Sequence, residues 1–259
     1  MNGGARVAAL AVRTTLFFFE FARSARAIAL PRAAKMAPHP YYPLGLALPG
    51  YAPMSLSFAA VLAAFFGAAA AVGAATWAAA ARGAARGLPR AERLIACWLV
   101  ATGMIHLIIE GYVVVTPGFY KDTRGVLLAD IWKEYSQADS RYLTRDAFVI
   151  GMEAVTAFLW GPLAPLAAYG YVRQRPWRYT LAIAVSVGQI YGDVLYYATC
   201  WLEGFAHSRP EPYYFWGYFV IVNAIWIVVP GAVLAHAAAR VAAAVGAAAA
   251  PKKGRAARR

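Results

Sequence analysis

Apolar residues in this chain do not alternate with polar ones; they run together. Five stretches, roughly 54–81, 94–116, 147–170, 178–200 and 215–239, are predominantly apolar over about the 20 residues at which an α-helix crosses the hydrocarbon of a bilayer. A transmembrane barrel would instead show short strands of alternating pattern, and none of these stretches has it. The pattern predicts an all-α integral membrane protein, a bundle of five transmembrane helices, with no room for a second soluble domain. The first stretch is rich in alanine and chemically bland. The other four hold aromatic residues, prolines and isolated polar groups.

Those isolated groups change the picture most. Of the twelve acidic residues, only Glu110, Glu153 and Asp193 lie inside the long apolar runs, and no Lys or Arg sits beside them. Carboxylates at membrane depth are costly, and a functional site is the default reading for them. His106 and Glu110 are spaced i, i+4, which puts both on one helix face within hydrogen-bonding reach. A polar pair that glues helices together is the plainer alternative. Glu153 and Thr156 form an i, i+3 pair, followed by Pro162 and Pro165, which are expected to kink the helix. Asn223 and Trp226 form another, and Trp226 lies mid-span, away from the interfaces where tryptophan belts form. There its face is free to meet a cation. The fourth stretch carries Gln189, Tyr191 and Asp193, with Asp193 read as supporting a neighbouring polar group rather than reacting. Gly188 and Gly192 have the small-xxx-small spacing of close helix contact. Together these residues describe a polar pocket enclosed in apolar surface, with no basic group to hold a phosphate or carboxylate. Its ligand is expected to be largely hydrophobic, and any charge it carries or develops to be positive.

Composition agrees, since 61% hydrophobic and 14% charged residues are outside the range of ordinary soluble domains. The net charge of +13 raises nucleic acid as a partner, but its distribution argues against that. Segments 82–93, 171–178 and 240–259 hold 13 basic residues against one acid, Glu92, whereas 117–146 and 201–214 hold 6 basic and 7 acidic. With five spans the two sets face opposite sides of the membrane, and the positive-inside rule puts the C-terminus in the cytoplasm. The tail PKKGRAARR reads as a basic end facing membrane lipid. Residues 1–35 are Arg-rich and acid-poor, either a transit-type segment or the product of a start upstream of Met36. Cys97 and Cys200 both fall in apolar runs and read as packing residues. No CxxC, HExxH or glycine-rich phosphate loop occurs, so neither metal nor cofactor is expected.

The strings IHLIIEGY, LADIWKEYSQADSRYL, GMEAVTAFLWGPL, SVGQIYGDVLYY and YYFWGYFVIVNAIWIVVPG closely resemble the emopamil-binding protein family, the 3β-hydroxysteroid Δ8,Δ7-isomerases of the endoplasmic reticulum. The similarity runs from about Met36 to Ala235, and the family's HPYxP-like start matches His39-Pro40-Tyr41-Tyr42-Pro43. The resemblance implies an enzyme that moves a sterol double bond from C8–C9 to C7–C8, with pocket residues His106, Glu110, Glu153, Thr156, Asn223 and Trp226. It also picks out Trp132, Tyr135, Asp139, Arg141 and Tyr142 in the loop between the second and third spans. The implied ligands are a sterol substrate and lipophilic amines, and a homodimer is a possible assembly. Three parts follow: an extension at 1–35, the five-helix domain at 36–239 and a basic tail at 240–259. In the expected mechanism the His106–Glu110 pair shuttles the proton, Glu153 and the Trp226 face stabilise a carbocation, and Thr156 and Asn223 orient the carboxylates. The roles of the two glutamates are interchangeable at this level. A sterol- or amine-binding protein on the same fold, without catalysis, remains the alternative.

Overall fold

The computed structural model describes residues 38–82 and 88–249. The expected extension at 1–35 and the PKKGRAARR tail lie outside the described residues. Five helices are long and apolar enough to cross a membrane: α1 (Phe58–Ala80), α2 (Arg90–Val115), α5 (Ala147–Val172), α6 (Arg178–Leu202) and α7 (Tyr213–Ala249). Two short helices, α3 (Leu127–Tyr135) and α4 (Arg141–Thr144), lie between α2 and α5. There is no strand among the described residues, and the chain is a multi-pass membrane protein.

The spans differ from expectation mainly at their ends. Helix α7 runs on to Ala249, ten residues past the predicted stop, because its continuation is mostly alanine, the best helix former, with no proline and a single glycine, Gly246. Helix α2 begins at Arg90 and so takes in Glu92, which is 2% exposed. A carboxylate in the first turn suits the positive end of the helix dipole. The Tyr179 hydroxyl donates to it at 2.7 Å, and Arg178, His236 and Arg240 stand 3.6–3.8 Å away.

Neighbours pack in the series α1–α2–α5–α6–α7, with α3 also against α1. The half of the bundle near Glu92 has a core of small residues, including Ala96, Ala164, Ala167, Ala168, Ala182 and Ala237, with Leu99 and Val185. Small side chains let helix backbones approach closely where lipid supplies no hydrophobic drive. Gly188 makes such an approach, because a Cβ there would collide with the Trp160 indole. Gly192 is under no such constraint, its nearest neighbour being Met152 at 3.8 Å. At the other end α3 and α4 form a cap, contributing Ile131, Trp132, Tyr135 and Tyr142 to the lining of a cavity between the spans.

Three spans are not α-helical throughout. Residues Ile105–Glu110, Thr156–Trp160 and Tyr213–Val222 are wound as π-helix, and the first two of these segments lie against each other. A π-turn inserts a residue into the helical ladder and re-aims the side chains beside it, which is why such turns recur at functional sites. Pro162 falls in the first turn after the second π segment and Pro165 inside the helix that follows. The local departure from α geometry thus precedes the prolines.

Candidate active site

Below the cap, α1, α2, α5, α6 and α7 line a cavity whose empty space, with the solvent at its open mouth, is about 920 Å³. Its walls are mostly apolar, with Phe65, Ile105, Ile109, Ile131 and Val222 among them. Of the residues singled out in the sequence, His106, Glu110, Trp132, Tyr135, Tyr142, Glu153, Thr156, Gln189, Asp193, Asn223 and Trp226 line it, whereas Asp139 and Arg141 pair with each other outside it. Tyr191 does not line it either. It is 65% exposed on the outer face of α6, because two residues from Gln189 and from Asp193 is about half a helical turn. No lysine or arginine borders the cavity.

The first π-turn aims His106 and Glu110 inward while Ile108 between them faces outward. His106 Nδ1 and Glu110 Oε2 are 2.7 Å apart, both buried. On the other ring nitrogen, Nε2 lies 3.0 Å from Thr102 Oγ1 and 2.8 Å from the Gln189 amide nitrogen, and that amide also donates to Thr102 at 2.8 Å. The imidazole is therefore fixed at both ends. An imidazole whose second nitrogen is held by neighbours has its tautomer and orientation set by them.

Glu153 accepts a hydrogen bond from the Tyr142 hydroxyl at 3.0 Å and lies close enough to Glu110 for the two carboxyls to interact. Two neighbouring carboxyls in an apolar cavity cannot both carry charge cheaply. The cap supplies aromatic groups to this region. Trp132 donates to the Ile109 carbonyl at 2.7 Å, at a stretch of α2 where the π-turn disturbs the normal ladder. Tyr135 donates to Asn223 Oδ1 at 2.7 Å. Burial, reinforced by the Glu153 charge, holds the Tyr135 and Tyr142 hydroxyls well above the ordinary phenol range, so both act as neutral donors.

Two expected roles do not appear in the geometry. Thr156 donates to the Met152 carbonyl of its own helix at 3.0 Å, a common threonine arrangement. Asn223 is occupied by Tyr135 and by the Phe219 carbonyl. Neither touches a carboxylate. The group that holds Glu153 is Tyr142, and the groups that hold His106 are Thr102 and Gln189. Thr102 was missed although its signal was present, since Thr102, His106 and Glu110 recur at intervals of four. Trp226 has its ring 5.4 Å from His106 and 5.2 Å from Trp98, beside the pair as its mid-span position suggested. Both cysteines are free. Among the described residues no group of His, Cys, Asp and Glu is arranged to hold a metal ion.

Residues 127–237 match the family described as EXPERA, the expanded EBP superfamily. The chain is 41% identical over 197 residues to a rat 3-beta-hydroxysteroid-Delta(8),Delta(7)-isomerase, a match covering 74% of this chain and 84% of the rat protein. It is 36% identical over 192 residues to a probable isomerase of the same name from Arabidopsis thaliana, covering 74% and 84%. A narrower match, 46% identical over 143 residues, is to protoglabretal synthase of Citrus sinensis, covering 54% and 66%.

Proposed function

Because the chain belongs to the EXPERA superfamily and, within it, to the family of the 3β-hydroxysteroid Δ8,Δ7-isomerases, we propose that it shifts a sterol ring double bond from C8–C9 to C7–C8. The observation that carries this reading is the His106–Glu110 hydrogen-bonded pair facing Glu153 in a cavity without cations. The reaction adds a proton at C9, generates a carbocation at C8 and removes a proton from C7, so one proton enters and one leaves. A protonated carboxyl or imidazolium near neutral pH supplies the first. The His106–Glu110 pair accepts the proton lost from C7 and passes it back to that donor, which restores the resting state. Glu153, held by Tyr142, and the indole face of Trp226 stabilise the positive charge between these steps. Thr102 and Gln189 keep the imidazole aimed at Glu110.

The same reading assigns the protein to the endoplasmic reticulum membrane, with the C-terminus and the basic loops cytoplasmic, and residues 36–239 as the functional unit. A homodimer is compatible with it. Lipophilic amines should bind tightly, because a protonated amine imitates the carbocation; failure of every such amine to inhibit would remove the cation from the mechanism.

The deciding experiment expresses the full chain in a yeast strain lacking its own Δ8,Δ7-isomerase and profiles sterols by mass spectrometry. Conversion of accumulated Δ8 sterols to Δ7 sterols establishes the activity. Persistent Δ8 sterols with folded, membrane-inserted protein would instead favour ligand binding without catalysis, or another substrate, as the activity named for the Citrus relative allows. Expression from Met36 in parallel tests whether residues 1–35 are dispensable.

A further inference from the structure

The sequence pattern cast Asp193 as a support for some neighbouring polar group, and the structure removes that role. Asp193 is 8% exposed and lines the cavity, yet its Oδ2 has no hydrogen-bond partner. The other two cavity carboxyls are engaged, Glu110 by His106 and Glu153 by Tyr142. Asn223 is engaged by Tyr135. Two more unpartnered polar atoms line the same wall, Gln189 Oε1 and the Tyr196 hydroxyl. Residues 189, 193 and 196 are spaced i, i+4, i+7, a single face of α6. Leaving a buried polar atom without a partner is costly, and three on one strip of a ligand cavity point to a ligand that supplies the missing groups.

A 3β-hydroxysterol has one polar group, its hydroxyl, and that group also needs partners once it leaves water. It is both donor and acceptor and so serves two of the three atoms: Asp193 accepts its hydrogen and the Tyr196 hydroxyl donates to its oxygen. Register places the strip correctly. Gln189 touches His106, and α2 and α6 run in the same direction through the bundle. Asp193, about 6 Å or one turn beyond Gln189, is therefore level with Glu110, one turn beyond His106. The strip stands beside the reacting carboxyls on a separate wall, as ring A stands beside the double bond of ring B.

We propose that the α6 strip, with Asp193 as acceptor and Tyr196 as donor, binds the sterol 3β-hydroxyl and so makes the protein selective for free 3β-hydroxysterols over 3-deoxy, 3-keto or esterified ones. The inference rests on the sterol reading of the cavity, but not on turnover.

Its test measures binding of a Δ8 3β-hydroxysterol and of the matching 3-deoxy sterol to full-length protein in lipid nanodiscs. The wild type should prefer the hydroxysterol at least about fivefold, the scale of one net hydrogen bond. Asp193→Ala should bring the two sterols to within about twofold, by weakening the hydroxysterol and not its deoxy counterpart. Asp193→Asn keeps the volume and a weaker acceptor and should fall between; it decides the matter if the alanine variant does not fold. Equal binding of the two sterols by the wild type, or an unchanged preference in the foldable variants, overturns the assignment. Conversion of Δ8 to Δ7 sterol by the same wild-type sample is scored separately. Hydroxyl preference without conversion keeps the strip and removes the isomerase, whereas conversion without preference does the reverse.

Discussion

The cap and the cavity beneath it both bury ionisable groups, but they treat them in opposite ways. In the cap each of two buried carboxylates has a buried cation. Asp130 and Lys133, both fully enclosed, form an ion pair at 3.3 Å, outside hydrogen-bond geometry. Asp130 also accepts from the backbone of Ser55 and Leu56, while Lys133 donates to the carbonyls of Pro53 and Asp122. Asp139 takes Arg141 through both of its oxygens. Burial works against the Arg141 charge, but the Asp139 carboxylate outweighs it and holds the guanidinium above its ordinary value. These pairs tie the segment before α1, the cap and the end of α6 together. In the cavity Glu110, Glu153 and Asp193 share one apolar space and no cation at all. A charge buried to hold structure is paired in place; a charge buried to meet a ligand is left open toward it.

The comparison is broken most severely in the cap. Arg141→Met leaves Asp139 buried and unpaired and should cost about 3–5 kcal/mol of stability, whereas replacing both partners, as in Asp139→Asn with Arg141→Met, should cost less than the single change. Thermal unfolding of the purified variants in detergent measures both. A double variant as unstable as the sum of its singles would show that the pair is not one unit.

In the cavity the same kind of change should act on rate instead. Glu110→Gln or Glu153→Gln removes a preorganised charge at the reacting centre, a loss of about 3–4 kcal/mol of barrier lowering, so turnover should fall about a hundredfold or more. Stability should hold or rise, because a costly open carboxyl has gone. Near-normal turnover in either variant would exclude that residue from the mechanism, and a collapse in stability would make the cavity resemble the cap.

How far this division was legible in the sequence depends on whether the partner is local. His106–Glu110 was readable because its members are four residues apart on one helix. The five spans were readable because bilayer thickness sets their length. Tyr142 holding Glu153 was not, since the tyrosine belongs to a cap helix whose approach to α5 is a tertiary outcome. The three π-turns were not legible, because nothing in the hydrophobic pattern of these runs marks the extra residue that each inserts. Tyr191 was misjudged by grouping a string rather than following the helix face. The open state of Asp193 is legible only in three dimensions, because it consists in what every other helix fails to supply.

A smaller effect is expected at the edge of the reacting pair. Thr102→Val keeps the shape and removes one of two groups on His106 Nε2, leaving Gln189. A single neutral hydrogen bond contributes about 1 kcal/mol, so turnover should fall about fivefold with substrate affinity unchanged. A loss as large as that of Glu110→Gln would mean that Thr102 itself handles the proton; no change would mean that Gln189 alone fixes the ring.

The smallest effect should come from Glu134, a cap carboxyl that belongs to neither class. Tyr218 and Gln137 donate to it at 3.1 and 2.8 Å, but among the described residues no cation forms an ion pair with it. Burial raises its pKa above the usual value, and those two hydrogen bonds with the more distant Arg209 only partly offset the rise. The folded state therefore holds the proton more tightly than the unfolded chain does. The stability this contributes is fully present below the ordinary glutamate value, about 4.3, and is lost as pH rises through the higher folded value. Glu134→Gln, which keeps the side-chain volume and cannot ionise, should flatten the fall of melting temperature over that mildly acidic window and leave turnover unaltered. A wild-type melting temperature that instead rises across the window, with the rise abolished in the variant, would show that Glu134 is held as firmly as Asp139 and belongs with the paired charges of the cap.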